Sequence, residues 1–261
     1  MHGTIYYYYD KVLVADCKLK TLEPYVGRLA KDSAVQLLVK TLDVKNADVP
    51  TPTEIVREGD FYLAAPSGNM IYQIHKNGTL IRAYAAEVSQ VEETIMDVPM
   101  SILAMIEGKL LLHGTVISMR GDTYAVLGGE EMLKCSGLSH SDTILLTENM
   151  EGYRGILCFR MGKQTKLYGQ RPITGLKGIV VLQNIGQGAG GAVIMEHERK
   201  ERLLLEHTAG FSMLSREMHE YFSHGRMLKE AGQSLPVAVL GISEGCRVRD
   251  ILNKDDFSIF P

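Results

Sequence analysis

Residues 110–149 read LLLHGTVISMRGDTYAVLGGEEMLKCSGLSHSDTILLTEN. The first apolar run of this stretch ends at His113. The second run leads into Gly128-Gly129, and the third ends at Glu148. Short apolar runs bounded by turn residues are typical of buried strands. The stretch therefore predicts strands, a glycine turn and an acidic strand end, which is the outline of a nucleotide-binding site.

The glycine turn has part of the pattern of a phosphate-binding loop, G-x-x-x-x-G-K-[ST]. In such a loop the glycines let backbone N–H groups surround the phosphates, the lysine reaches the outer phosphates and the hydroxyl binds Mg²⁺. Here Leu133 replaces the second glycine and Cys135, a poor ligand for a hard cation, replaces the hydroxyl residue. The candidate nucleotide-binding residues are Gly128, Gly129, Lys134 and Ser136. Ser136 lies one position after the place of the hydroxyl residue in the pattern.

Two carboxylates stand inside the same loop, at Glu130 and Glu131. Each like-charge contact with a phosphate at about 5 Å costs on the order of 1–3 kcal/mol at an intermediate dielectric. A single lysine, Lys134, does not offset both. The loop is therefore either an unusual triphosphate site or an acidic connection between a strand and a helix.

Nearly the whole chain resembles the HPr kinase/phosphorylase-related proteins, which include kinase-like tailoring enzymes of ribosomally made peptides such as lasso peptides. The similar segments follow the family's order along the chain: residues 6–25, residues 60–85, residues 101–114, Lys134 and residues 235–242. The resemblance implies an α/β fold with a mixed-sheet, HPr-kinase-like P-loop core, preceded by a small β-rich N-terminal portion.

The resemblance also implies roles for individual residues. His113 would lie by the active site, Lys134 would bind the phosphates of ATP, and Glu148 would hold Mg²⁺ and activate a hydroxyl. The family usually has Asp-Asp at this strand end, whereas this chain has Glu148-Asn149, and an amide cannot act as a base. The segment between Lys134 and Glu148 is also shorter by roughly one helical turn. His113 and Glu148 are thus the candidate catalytic residues, and Glu148 is the candidate metal ligand.

The N-terminal part of the sequence has the pattern of β-structure. Residues 6–14 are rich in tyrosine and valine, which predicts a strand. Residues 60–85 predict a meander with a hairpin turn at Asn77-Gly78. Residues 87–107 change to a helical period, with Asp97 as the candidate cap and Pro99 in the first turn.

The division of the chain follows from that change of period. We predict a β-rich portion over residues 1–97 and an α/β core over residues 98–261. Strands alternating with helices are typical of a mixed α/β core. The core elements that we predict are strands over residues 110–119, 123–127, 143–147, 155–160, 176–183 and 236–242, and helices over residues 198–205, 216–229 and 248–252.

Two other features carry candidate chemistry. Residues 186–191 read GQGAGG and satisfy a dinucleotide-loop pattern, but no clear helix follows. This favours a flexible hairpin loop, with a mobile loop covering a bound peptide or nucleotide as the alternative. The histidines His197, His207, His219 and His224 are scattered through helical sequence, and the spacing of the last two does not place both on one helix face.

The composition excludes several classes of protein. A net charge of −3 implies no general affinity for nucleic acid or for an anionic membrane. The four cysteines are far apart in sequence, which disfavours a thiolate zinc site and a disulfide framework. The sequence has no apolar run long enough for a membrane span and no signal-peptide pattern at its start, so we expect a cytoplasmic protein.

The departures in the loop lead to one main hypothesis. The chain would be an HPr-kinase-like protein with a degenerate nucleotide site, acting as a non-catalytic peptide- or protein-binding module in a peptide-modification or regulatory pathway. The alternative is an ATP-dependent kinase that phosphorylates a Ser or Thr hydroxyl of a peptide or protein. A third hypothesis gives Glu130, Glu131 and Glu148 acid/base or metal-binding roles. The sequence leaves open whether the chain is an enzyme, and whether it forms a homo-oligomer as relatives often do.

Overall fold

The computed structural model describes residues 3–8, 11–27, 34–41, 48, 50–95, 97–119, 122–128, 142–146, 152–155, 171–173, 176–186, 192–195, 197–208, 210–218 and 226–243. The chain divides into two compact units, Met1–Gly108 with Gly210–Ser223, and Lys109–Ala209 with His224–Pro261. The described part of each unit contains one mixed β-sheet, so the fold is mixed α/β with a β-rich N-terminal part. Residues 98–108, which the sequence assigned to the core, belong to the first unit.

The strands of the first unit are β1 Thr4–Tyr8, β2 Lys11–Ala15, β3 Val35–Thr41, β4 Val56–Glu58, β5 Phe61–Ser67, β6 Met70–His75 and β7 Leu80–Ala85. They form one sheet in the order β1-β2-β3-β7-β6-β5-β4, in which β3 is parallel to both of its neighbours. The meander predicted over residues 60–85 is confirmed as β5, β6 and β7. The single strand predicted over residues 6–14 is wrong, because β1 and β2 are two antiparallel strands with Tyr8 opposite Lys11.

Two helices, α1 Val88–Thr94 and α2 Val98–Ile106, pack on this sheet. The helix predicted within residues 87–107, with Asp97 as its cap and Pro99 in its first turn, is confirmed as α2, and α1 is a separate helix before it. Proline has no N–H for a bond in a helix interior, so a new helix begins with Pro99 in its first turn. Asp97 is the N-cap residue, as predicted, but its side chain makes no capping hydrogen bond.

The turn between β6 and β7 requires a glycine. Gly78 has φ +70°, where residues with a Cβ are strained, and its N–H donates to the His75 carbonyl at 2.8 Å. Asn77 Oδ1 accepts hydrogen bonds from the backbone and hydroxyl of Thr79 at 3.1 and 2.6 Å. The turn predicted from the Asn-Gly pair is therefore confirmed.

Replacing Gly78 with alanine should destabilise the protein by about 1 kcal/mol, because alanine is strained at this positive φ. Urea denaturation measures the loss. Gly68→Ala, in the turn between β5 and β6, is the matched control, because its added Cβ would meet nothing within 4 Å and its φ is not positive. Equal losses in the two variants would contradict this account of the turn.

The strands of the second unit are β8 Leu110–Met119, β9 Asp122–Leu127, β10 Asp142–Leu146, β11 Gly152–Gly155, β12 Arg171–Ile173, β13 Leu176–Gly186, β14 Ala192–Ile194 and β15 Val237–Ser243. Their order in the sheet is β12-β11-β10-β8-β9-β13-β15-β14. Three neighbours, β9, β13 and β15, are parallel, while β8 is antiparallel to both β9 and β10. The strand predicted over residues 155–160 corresponds to β11, which ends where the prediction begins; residues 156–160 lie outside the described residues.

Helices α3 His197–Glu206 and α4 Arg226–Ser234 contribute to the core of this unit. One cluster of buried residues joins them to the sheet: Leu112, Leu127, Val181, Leu204, Ala231 and Val239, among others. In β13, residues 179–182 are all buried, as is typical of parallel strands covered on both faces. Of the helix predicted over residues 216–229, residues 216–218 and 226–229 are helical, and α4 continues to Ser234. Residues 219–225 and 248–252 lie outside the described residues.

The helices that the structure describes are all too short or too polar to cross a membrane.

Candidate functional site

Strand β9 stops short of its neighbours. It ends at Leu127, which lies opposite Gly114 of β8 and beside Val181 of β13. Beyond this level β8 extends back to Leu110, and β13 runs on to Gly186. Past the carboxyl end of β9 the described residues place no strand between β8 and β13, and we call this place the gap.

The gap lies where the chain changes direction across the sheet. From β9 the chain continues to β10 on one side, whereas from β13 it continues to β14 and β15 on the other side. Such a switch point, at the carboxyl ends of parallel strands, is where open α/β proteins bind ligands. The candidate site is thus the region past Leu127.

Gly128 follows Leu127 and is buried. A Cβ added to Gly128 would lie 3.3 Å from Cβ of Leu182, which is a tight contact, so β13 leaves little room for a side chain here. Since Gly114 and Leu127 are the last pair of β8 and β9, His113 and Gly128 are the next residues along the chain just beyond that pair. Two residues that the sequence singled out separately are therefore neighbours.

The segment after α3 covers part of the gap. Leu112 forms an antiparallel bridge with Thr208, and the N–H of His113 donates to the His207 carbonyl at 2.8 Å. Because β10 pairs with one edge of β8 over residues 110–114, these contacts occupy the edge that faces β9. His207 consequently lies beside His113 at the end of β9.

His113 and Gly128 share one face of the sheet. Leu112 and Leu127 point into the cluster beneath α3 and α4, so the next residue along each strand, His113 and Gly128, lies on the opposite face. Thr208 is buried and its hydroxyl donates to the Leu204 carbonyl of α3 at 3.0 Å. His207 closes the last turn of α3, because its N–H donates to the Leu203 carbonyl at 3.2 Å.

Burial lowers the pKa of His207 below its ordinary value of 6.5, the carboxylate of Glu206 opposes this shift, and the nearby His113 imidazole adds to it. Both histidines are half-buried. Sequence patterns missed His207 because its position beside His113 depends on pairing between segments about ninety residues apart.

The lowered pKa of His207 predicts a pH-dependent stability. As pH falls through 6.5, the unfolded chain takes up the proton first, so this residue lowers the free energy of unfolding in acid. His207→Gln should therefore lose less stability than the wild type between pH 7.5 and pH 5.5, measured by urea denaturation in EDTA at about 25 °C. His75→Gln in the first unit controls for the removal of an imidazole. If His207→Gln loses as much stability as the wild type between pH 7.5 and pH 5.5, the lowered pKa of His207 is contradicted.

The other predicted site residues fall outside the described residues. These are Gly129, Lys134, Ser136 and Glu148, together with Glu130, Glu131, Leu133, Cys135 and Asn149. The strand that leads towards Glu148 is described: β10 ends at Leu146, opposite Leu110. Because β9 and β10 are both antiparallel to β8, their carboxyl ends point to the same edge of the sheet.

The glycine motif at residues 186–191 does not connect a hairpin, so that prediction is wrong. It begins at Gly186, the end of β13, and the next strand, β14, pairs with the far edge of β15. β15 therefore lies between β13 and β14 in the sheet, which only long-range pairing reveals. Gly186 has φ +68° and its N–H donates to Asn184 Oδ1 at 2.8 Å, while residues 187–191 lie outside the described residues.

No family model, curated protein or solved structure matches the chain.

Proposed function

We propose that the chain is an HPr-kinase-like protein whose nucleotide site is degenerate, and that it acts as a non-catalytic peptide- or protein-binding module in a peptide-modification or regulatory pathway. One observation carries the proposal. A short parallel strand ends in the buried Gly128 at the switch point of the sheet, and the residues that follow in sequence oppose phosphate.

The scaffold half of the proposal is supported by the sheet. A phosphate-binding loop leaves a sheet from a central strand that is followed by glycine and has a parallel neighbour, and β9, with β13 parallel beside it and Gly128 after it, has these features. The position of His113 beside Gly128 fits the role that the family resemblance gives it. The carboxyl end of β10 brings the chain towards Glu148 at the same edge.

The loss of nucleotide chemistry is supported by the loop sequence. Glu130 and Glu131 add two negative charges next to Gly128, where a triphosphate would bring more. Leu133 has a side chain where the loop needs a glycine, and Cys135 offers sulfur where Mg²⁺ needs oxygen. Three separate requirements of phosphate binding are therefore unmet within six residues.

The alternative proposal is an ATP-dependent kinase acting on a Ser or Thr hydroxyl of a peptide or protein. The position of His113 and Gly128 just beyond the last pair of β8 and β9 favours it, because an active site would need both at this place. In this alternative Lys134 binds the ATP phosphates and Glu148 holds Mg²⁺. Because Asn149 cannot act as a base, Glu148 alone would activate the hydroxyl.

A thermal-shift titration distinguishes the two proposals. With ATP or GTP raised to millimolar concentration in the presence of Mg²⁺, the wild type and Lys134→Ala should both melt at the temperature of the free proteins, because the loop does not hold phosphate. Lys177→Ala, at the opposite end of the sheet in β13, is the matched lysine control. A saturable rise in the wild type that Lys134→Ala abolishes and Lys177→Ala retains would favour the kinase.

The binding half of the proposal has its own test. A gene for a short precursor peptide beside the gene for this chain would supply the ligand, and fluorescence anisotropy with that labelled peptide measures binding. We expect the same affinity with and without Mg-ATP. An affinity that depends on ATP would contradict a nucleotide-independent module.

A further inference from the structure

The sheet of the first unit has a helix side and a side that carries polar side chains. Tyr72 of β6 points to the helix side, because its hydroxyl is hydrogen-bonded to the Val91 carbonyl of α1 at 3.4 Å and to Thr94 Oγ1 at 2.9 Å. Successive residues of a strand point to opposite sides, so Gln73 lies on the other side. Arg82 of β7 is directly opposite Gln73 and shares that side with it.

Contacts on this side hold the Arg82 guanidinium in place. Gln73 Oε1 accepts hydrogen bonds from Arg82 Nη1 at 3.4 Å and from the Tyr84 hydroxyl at 3.2 Å. Cζ of Arg82 lies 5.0 Å from the centroid of the Phe61 ring, over its face. The same ring contacts His75 edge to face, with the ring centroids 5.1 Å apart. A guanidinium held in this way loses less rotamer entropy when it binds a ligand than a freely rotating one does.

A second cation lies on the same side of the sheet. Lys40 of β3 is opposite Tyr84 of β7, and its side chain is exposed, whereas Arg82 is half-buried. The apolar residues Leu63 and Ile71 share this side, but both are buried, so its exposed part is polar. We refer to four side chains as the cationic face: Lys40, Gln73, Arg82 and Tyr84.

The positive charges of the cationic face are not neutralised within the part of the chain that the structure describes. No carboxylate of that part forms an ion pair with Arg82 or Lys40. Among the described strand residues, the register places one carboxylate on this side, Glu58 in the edge strand β4. Asp60, in the turn before β5, is paired with Lys76 at 2.7 Å. The face is therefore positive although the whole chain has a net charge of −3.

We propose that the cationic face binds an acidic peptide segment, whose Asp or Glu side chains form ion pairs with Arg82 and Lys40. A guanidinium binds a carboxylate through two parallel hydrogen bonds, which adds geometric specificity to the attraction of the charges. Single-stranded nucleic acid fits this face less well, because its bases stack on free aromatic rings and Arg82 already lies over the Phe61 ring.

The inference rests on the proposed function, that the chain is a peptide-binding module, and it adds the chemistry of the peptide and the surface that binds it. It needs no residue of the second unit and no nucleotide. The attraction between exposed charges falls with added salt, so the binding should weaken as the ionic strength rises.

Fluorescence anisotropy tests the inference with the full chain and a labelled peptide of alternating glutamate and serine. At about 50 mM NaCl we expect saturable binding with Kd of about 0.1 mM or tighter. Arg82→Gln should weaken it by about tenfold, and Lys40→Gln, at a more exposed position, by about threefold. A peptide with glutamine in place of each glutamate should not bind.

Arg57→Gln is the matched control. It removes one positive charge from the same sheet, but Arg57 precedes Glu58 in β4 and so points to the opposite side. This variant should bind as the wild type does. Circular dichroism establishes that each variant is folded, and if Arg82→Gln does not fold, Lys40→Gln decides because its side chain is exposed.

The inference is overturned if the glutamate peptide does not bind, if the glutamine peptide binds equally well, or if folded Arg82→Gln or Lys40→Gln keeps the wild-type affinity. Binding of an oligothymidylate more tightly than the glutamate peptide, with the same dependence on Arg82, also overturns it. The proposed function would survive these results, because it is tested with the precursor peptide. If the precursor binds equally to the wild type and to Arg82→Gln, the peptide-binding module stands and the cationic face is excluded as its surface.

Discussion

Replacing Gly114 with alanine should lower the free energy of unfolding by about 3 kcal/mol. The added Cβ would lie 2.5 Å from the Val126 carbonyl oxygen and 2.8 Å from Leu127 Cδ2. A backbone oxygen cannot rotate away as a side chain can, so β8 and β9 would have to move apart. Because these strands form the middle of the sheet, the change also displaces the site at the end of β9.

Urea denaturation measures the free energy of unfolding of two alanine variants, Gly114→Ala and Gly128→Ala, for comparison. In Gly128→Ala the new Cβ would meet only the side chain of Leu182, at 3.3 Å, and this side chain gives way by a few tenths of an ångström. We expect a loss of less than about 1 kcal/mol there. If Gly114→Ala is no less stable than Gly128→Ala, the close approach of β8 to β9 is contradicted.

Restoring the phosphate loop should create nucleotide binding, which we do not expect in the wild type. The restored variant carries Glu130→Ser, Glu131→Gly, Leu133→Gly and Cys135→Ser. It removes two carboxylates, each worth on the order of 1–3 kcal/mol against a phosphate, and supplies the missing glycine and hydroxyl. We expect saturable Mg-ATP binding with Kd of about 1 mM or tighter, measured by calorimetry.

The control for this gain of function is Lys134→Ala in the restored background, which should remove the binding. A restored variant that is folded, as judged by its circular dichroism and melting temperature, and that still binds no Mg-ATP would contradict a phosphate-loop scaffold after Gly128. If the restored variant still bound Mg-ATP after Lys134→Ala, the nucleotide would bind outside the restored loop.

Local patterns predicted the elements that line the site. The apolar run before His113 is confirmed as β8, and the run before Gly128 as β9, because each depends only on its own sequence of apolar residues and turn residues. The same kind of pattern predicted the turn at Gly78 from Asn77-Gly78. The family resemblance singled out His113, and the pairing of β8 with β9 brings it to Gly128.

What sequence patterns missed depends on long-range pairing. His207 appeared to be one of several scattered histidines, and only its contact with β8 brings it to His113. The place of β15 between β13 and β14 is likewise set by partners more than forty residues away. Residues 210–223 belong to the first unit although they follow α3, in part because Ile55 bridges Leu214. Periodicity within a segment carries no information about such partners.

One calorimetric titration tests the central claim, that the end of β9 keeps the scaffold of a nucleotide site without its phosphate chemistry. Mg-ATP is titrated into the wild-type chain up to millimolar concentration. The account predicts no heat beyond dilution, because Glu130 and Glu131 repel the phosphates and one lysine does not offset them. Saturable binding at one site, abolished by Lys134→Ala, would contradict the account and establish a working nucleotide site.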